Sequence, residues 1–106
     1  MAAARASFLA AVDFIAASAK RAPNAAYAGS VPYLMLTGNL VAGWQMGRAL
    51  LVAQSKLAAG EETAFMQAKI TTAQFYADHI LVKTGALRDS IVGGAESVMA
   101  LPVESF

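Results

Sequence analysis

The chain has 106 residues and a mass of 11.0 kDa, enough for one domain with a core of its own. It contains no cysteine and one histidine, His79, which excludes disulfides, thiolate metal sites, cysteine nucleophiles and multi-histidine metal centres. Eight basic and seven acidic side chains leave a formal charge of +1, so nothing in the balance points to nucleic acid or an anionic membrane.

The hydrophobic fraction, 58%, is inflated by 25 alanines. Alanine favours helix and lets helices pack closely without making a chain membrane-bound. The N-terminus carries only Arg5, and Asp13 interrupts the apolar run behind it, so it lacks the form of a secretory signal. The longest uncharged stretch, Ala22 to Gly47, holds Pro23, Asn24, Gly29, Pro32, Thr37, Asn39 and Gln45, which argues against a membrane span. No transmembrane segment is expected, and the protein is expected to be cytoplasmic.

Three segments read as helix. In the first, near 4–21, Phe8, Val12, Ile15 and Ala19 fall at steps of four, three and four. Lys20 and Arg21 suit the negative end of the helix dipole, and Ala22-Pro23-Asn24 stops the helix. The second, near 31–58, is expected to start on a Ser30 cap, with Pro32 tolerated in the first turn. Leu36, Leu40, Gly43, Gly47, Leu50, Gln54 and Leu57 form its seam, and Gly60 closes it as a left-handed cap. The third, near 62–99, opens behind Glu61 and Glu62. Its seam is Met66, Ile70, Ala73, Ala77, Ile80, Thr84, Leu87 and Ile91, with a break expected near Gly85 or Gly93. The short Ala58-Ala59-Gly60 link forces an antiparallel hairpin. No period-two run reaches six residues. These patterns predict an all-α, antiparallel up-and-down bundle of three to four helices forming a single domain over 1–106.

Few residues invite chemistry. Asp78 and His79 are sequence neighbours and point to different helix faces, so the carboxylate does not orient the imidazole. His79 is expected to pack on Phe75 or Tyr76, four and three residues earlier. Glu61 and Glu62 read as dipole partners, and Asp13, Asp89 and Glu96 stand alone. There is no Glu-x-x-His motif for a bundle metal site, and no Gly-rich loop after a strand for a nucleotide. Gly43-Trp44-Gln45-Met46-Gly47 is a G-x-x-x-G, which in a soluble helix marks a close neighbour. No catalytic, cofactor-binding or metal-binding residue is expected.

The third segment carries a resemblance. Gln67-Ala-Lys-Ile-Thr-Thr-Ala-Gln-Phe-Tyr-Ala-Asp-His79-Ile-Leu resembles the last long helix of a subset of acyl-CoA dehydrogenases. The ending Gly94-Ala-Glu-Ser-Val-Met-Ala-Leu-Pro-Val-Glu-Ser-Phe106 and the stretch Tyr33-Leu-Met-Leu-Thr-Gly-Asn-Leu-Val-Ala-Gly-Trp44 are similar to parts of the same group. The likeness runs from about Ala6 to Phe106 and concerns the extra C-terminal helical domain that follows the flavin-binding core. It implies a parent enzyme that uses FAD to introduce a trans-2,3 double bond into acyl-CoA thioesters, with its catalytic glutamate and flavin pocket upstream. It also implies that this chain is a piece of such a flavoenzyme. Members often carry Leu-Pro after the aromatic-Ala-acid-His run; Leu81-Val82-Lys83 stands here, without the proline that would kink the helix.

The expected role is therefore non-catalytic: packing on the upstream flavin-binding core or mediating subunit contacts, as a homodimer or higher homo-oligomer. The candidate face is on the second helix, where no charge occurs between Arg21 and Arg48. Val31, Leu34, Met35, Val41 and Trp44 point around that helix, and one seam does not bury them all. Gly43 or Gly47 is expected at the closest crossing. The rival expectation is a free-standing bundle that binds a hydrophobic ligand or a membrane surface.

Overall fold

The computed structural model describes residues 1–106 and contains α-helix, two short 3-10 turns and no strand. The all-α expectation holds. α1 spans Ala2–Arg21 and ends where Ala22, extended at φ −143°, precedes Pro23. The proline that stops α1 then starts α2, Pro23–Ala28, a short helix absent from the sequence reading. Its ring supplies the φ of a first helical position, where the missing N–H costs nothing.

α3 covers Ser30–Ala58, about 43 Å at 1.5 Å per residue. Ser30 does not cap it, contrary to expectation. Gly29 takes the cap position, and the Ser30 hydroxyl, already inside the first turn, donates to the Tyr27 carbonyl at 2.8 Å. The C-terminus does follow the sequence. Gly60 sits at φ +75°, the Gly60 N–H bonds the Leu57 carbonyl, and the Glu61 N–H bonds the Lys56 carbonyl, which together make a Schellman closure.

α4 runs over Thr63–His79, α5 over Thr84–Gly93 and α6 over Ala95–Val98; 3-10 turns occupy Leu81–Lys83 and Val103–Ser105. The third predicted helix is therefore three. Its main break falls at Ile80–Lys83, and Gly85 lies inside α5. A second break at Gly94 is one residue from the expected Gly93. No proline makes the first break. Leu81 leaves the helical path to cover Gly43 of α3, and the buried Thr84 returns its hydroxyl to the Leu81 carbonyl at 2.9 Å.

α4 and α5 run back along α3 in turn. Met66 and Ala53 share one end of the pairing, Tyr76 and Leu81 meet α3 at Asn39 and Gly43, and Ile91 reaches Gly29. α1 is antiparallel to α3, with Phe8 stacked on Tyr33 at 5.9 Å and its start beside Leu40 and Trp44. One end thus holds three helices, α1, α5 and the first half of α3. The other is a two-helix hairpin of α4 and the second half of α3. The core belongs to the three-helix end: Ala11, Leu36 and Ile91 are fully buried, with Phe8, Phe14, Ile15, Tyr33 and Leu87 around them.

Dimensions follow from this plan. The Cα envelope is 66 × 27 × 15 Å and the radius of gyration 18.5 Å, against about 13 Å for a compact chain of this length. The accessible surface is 7183 Å², whereas a compact 11.0 kDa monomer exposes about 5,600 Å². Only 10 of 106 residues are buried. By length and composition α1 is the helix able to cross a membrane, rather than the Ala22–Gly47 stretch, which the structure divides at Gly29. The apolarity of α1 is largely alanine, and Ala4 and Ala11 are buried in the bundle.

Candidate functional site

The titratable groups do not converge. His79 lies against Phe75 with ring centroids 4.5 Å apart, the packing role expected of it. No group of three or more acidic, histidine or cysteine side chains is placed to hold a metal ion. Arg88 and Asp89 form a surface pair between sequence neighbours. Desolvation raises the Tyr76 phenol above its ordinary value. Its hydroxyl donates to the Asn39 carbonyl at 2.6 Å, joining α4 to α3.

What the structure offers is surface. Val31, Leu34, Met35, Val41 and Trp44 are each more than 45% exposed, and they divide by helical spacing into two faces. Val31 and Met35, four apart, share one. Leu34 and Val41, seven apart, share another, which Trp44 extends toward α1. There Val41, Trp44 and Leu40 meet Met1, Ala2, Phe8 and Leu9 across an open groove of about 450 Å³, with Arg5 its one charged lining residue. The α1 half of this groove was missed in the sequence; Leu9, an apolar residue off the predicted seam, was its available signal.

The two glycines separate. A Cβ on Gly43 would lie 2.8 Å from Leu81 Cδ1 and 3.4 Å from Tyr76 Cε1, whereas one on Gly47 would meet nothing within 4 Å. Gly43 is buried at a close crossing, and Gly47 is exposed.

On the hairpin, a second cleft of about 380 Å³ lies between α3 and α4, with Val52, Phe65 and Met66 as its larger apolar lining. Two cations flank it: Arg48, 5.4 Å from the Trp44 ring, and Lys69, 5.2 Å from the Phe65 ring.

Comparisons with known proteins point to one family. The profile described as "Acetyl-CoA dehydrogenase C-terminal like" matches residues 1–102. The chain belongs to this family. Among curated acetyl-CoA dehydrogenase C-terminal-like relatives, the 3-methylmercaptopropionyl-CoA dehydrogenase of Ruegeria pomeroyi is 48% identical over 99 residues, 93% of this chain and 17% of the relative. The broad-specificity linear acyl-CoA dehydrogenase of Mycobacterium tuberculosis is 33% identical over 81 residues, 74% of this chain and 13% of that protein. The chain thus corresponds to the C-terminal part of acyl-CoA dehydrogenases, less than a fifth of their length. No solved structure gives a significant match.

Proposed function

We propose that the chain serves as the C-terminal helical domain of an FAD-dependent acyl-CoA dehydrogenase, and that it contributes packing surface rather than chemistry. The carrying observation is the mismatch between core and surface: ten buried residues support a slab that exposes about 1,600 Å² more than a compact monomer of its mass. The large hydrophobic side chains exposed on that slab suit a partner, here the upstream flavin-binding core or a neighbouring subunit. Val31, Leu34, Met35, Val41 and Trp44 are the residues we assign to that contact.

The FAD and the acyl-CoA chemistry belong in this reading to upstream parts of the parent enzyme. In this chain the nearest cations to a pyrophosphate clamp, Arg48 and Lys69, are already stacked on aromatic rings, and no glycine-rich helix start faces them. The test begins with the reading frame of the gene. A flavoprotein core encoded in frame upstream supports the proposal, and its absence overturns it. In the full-length enzyme, Trp44→Glu with Val41→Glu is expected to loosen assembly or flavin retention while leaving helicity intact. Unchanged assembly and flavin content in that variant would remove the packing role.

The α1–α3 groove favours a second reading, a free-standing bundle for a hydrophobic ligand or membrane surface. Its lining is apolar with Arg5 at the edge, a place for an acyl tail and its carboxylate. Trp44, the only tryptophan, reports on that groove directly. Titration with a long-chain fatty acid or anionic vesicles that shifts Trp44 emission at stoichiometric ratios would favour this reading over the first.

A further inference from the structure

α1 covers only part of the slab. Phe8 stacks on Tyr33, and Met1, at the start of the antiparallel helix, borders a cleft of about 190 Å³ with Gly47, Leu50, Ala73 and Ala77. Each position further back along the line of α1 therefore falls opposite a position further along α3, toward the Gly60 turn. Two other clefts, one against Leu40 and Trp44 and one against Val82 and Gly85, also have Met1 in their lining, so α1 enters the bundle where three open channels meet. No signal in α1 ends the helix there: Met1 gives no side-chain cap, and Ala2, Ala3 and Ala4 are strong helix formers. Gly47 is the unexplained residue of this cleft. It is exposed, and a Cβ on it would meet nothing within 4 Å, although glycine within a helix is weaker than alanine.

We propose that, in the longer parent chain, the segment immediately before Met1 continues α1 as helix through this cleft, so that the α3–α4 hairpin is covered by a third helix as the other end already is. The inference rests on the parent-enzyme reading, in which the matched part is 17% and 13% of the relatives and further chain precedes it. Its extent follows from α3: from Gly47 to Ala58 is roughly 17 Å, the length of about eleven helical residues. Its register follows from α1. Ala4 and Ala11 are buried, and Phe8 and Ile15 pack on the core, so the inner face repeats at steps of four and three. Carried backward, those steps pass through Met1, which lines the cleft, and reach the positions four, seven and eleven before it. Small or apolar residues are expected at these positions, with no proline between them. A helix lying that close gives Gly47 its reason, since a side chain there would hold the two backbones apart.

The test is hydrogen exchange in the full-length parent enzyme, read on the amides of α3 beyond Gly47 and of α4 before Ala73. Glutamate placed at the positions four and seven before Met1 is expected to speed their exchange about tenfold, with flavin content unchanged. Glutamate at the positions two and nine before Met1, on the outer face of the same helix, is expected to leave the rates as they are. Gly47→Leu is expected to raise the rates as the inner-face glutamates do, because it fills the space that the added helix occupies. Equal rates in the inner-face and outer-face variants overturn the proposal, and so does a neutral Gly47→Leu. Protection that rises with enzyme concentration also overturns it, because a second copy then fills the cleft. A gene without an upstream flavoprotein core in frame removes the parent reading and this inference together. A core in frame, followed by prolines or charges at the inner positions, removes this inference alone.

Discussion

The Tyr76 hydroxyl donates to the Asn39 carbonyl at 2.6 Å, and the Tyr76 ring lies beside Gly43, four residues beyond Asn39, where a Cβ would stand 3.4 Å from the ring and 2.8 Å from Leu81 Cδ1. Asn39 lies inside α3, so its carbonyl already accepts the helical N–H of Gly43, and the phenol becomes its second donor. Position 43 is therefore fixed chiefly by Leu81, in the 3-10 turn that follows α4, and not by any preference of α3. Tyr76→Phe is expected to cost about 0.5–1.5 kcal/mol in urea unfolding.

The same contact sets a pH dependence. Desolvation raises the Tyr76 phenol in the folded state above its ordinary value. The folded state then holds the proton that the unfolded chain releases first, so the contribution is complete below the ordinary tyrosine range and is lost as pH climbs through the raised folded value. Wild-type stability is expected to fall on that alkaline limb, and the fall is expected to be shallower in Tyr76→Phe. Parallel alkaline limbs in urea-unfolding curves would refute it.

Gly43 and Gly47 are expected to respond in opposite directions. Gly43→Leu overfills the space held by Leu81 and Tyr76 and is expected to destabilise by about 1–3 kcal/mol. Gly47→Ala meets nothing within 4 Å and should stabilise by up to about 1 kcal/mol through helix propensity. Thermal unfolding of the two variants beside wild type checks both signs.

Leu36→Ala removes a fully buried side chain from the three-helix end and is expected to cost about 2–5 kcal/mol. Leu51→Ala, on the hairpin at 68% exposure, is expected to stay within about 0.5 kcal/mol in a monomer. Chemical denaturation of each at low protein concentration makes the comparison.

His79→Gln is expected to leave the fold intact and to cost at most about 1 kcal/mol, since the imidazole meets one phenylalanine face at the end of α4. A larger loss in a thermal melt would mean that the ring does more than pack.

Much of the fold is legible in the sequence because the seams are long. On the third segment Met66, Ala73, Thr84 and Ile91 are all buried, so the register survives the break at Ile80–Lys83. The break was legible only in its neighbourhood: Gly85, where it is expected, lies two residues past the 3-10 turn and inside α5, because the cause is tertiary, Leu81 filling the space over Gly43. Pro23 was read as a stop and also begins α2, since one proline chemistry serves both ends of a turn. On α3 Ala53 is buried where the seam named Gln54, because the second half of α3 packs on α4 and the first half on α1 and α5, so the covered face changes along the helix. The exposed face was anticipated only on α3. Its α1 half depends on where Met1, Arg5 and Leu9 lie across the groove, which no spacing within a single helix encodes.

The unequal ends of the slab imply unequal resistance to opening. At the three-helix end, amides of α1, α5 and the first half of α3 lie over Ala11, Leu36 and Ile91, so their deuterium uptake should wait for global unfolding. Toward the Gly60 turn, α3 and α4 are closed by little beyond Ala53, Met66 and Ala73, and their last turns should separate while the other end holds. A protease would find its first cut near Ala59–Glu62, and the fragments would remain joined through the opposite end of the molecule.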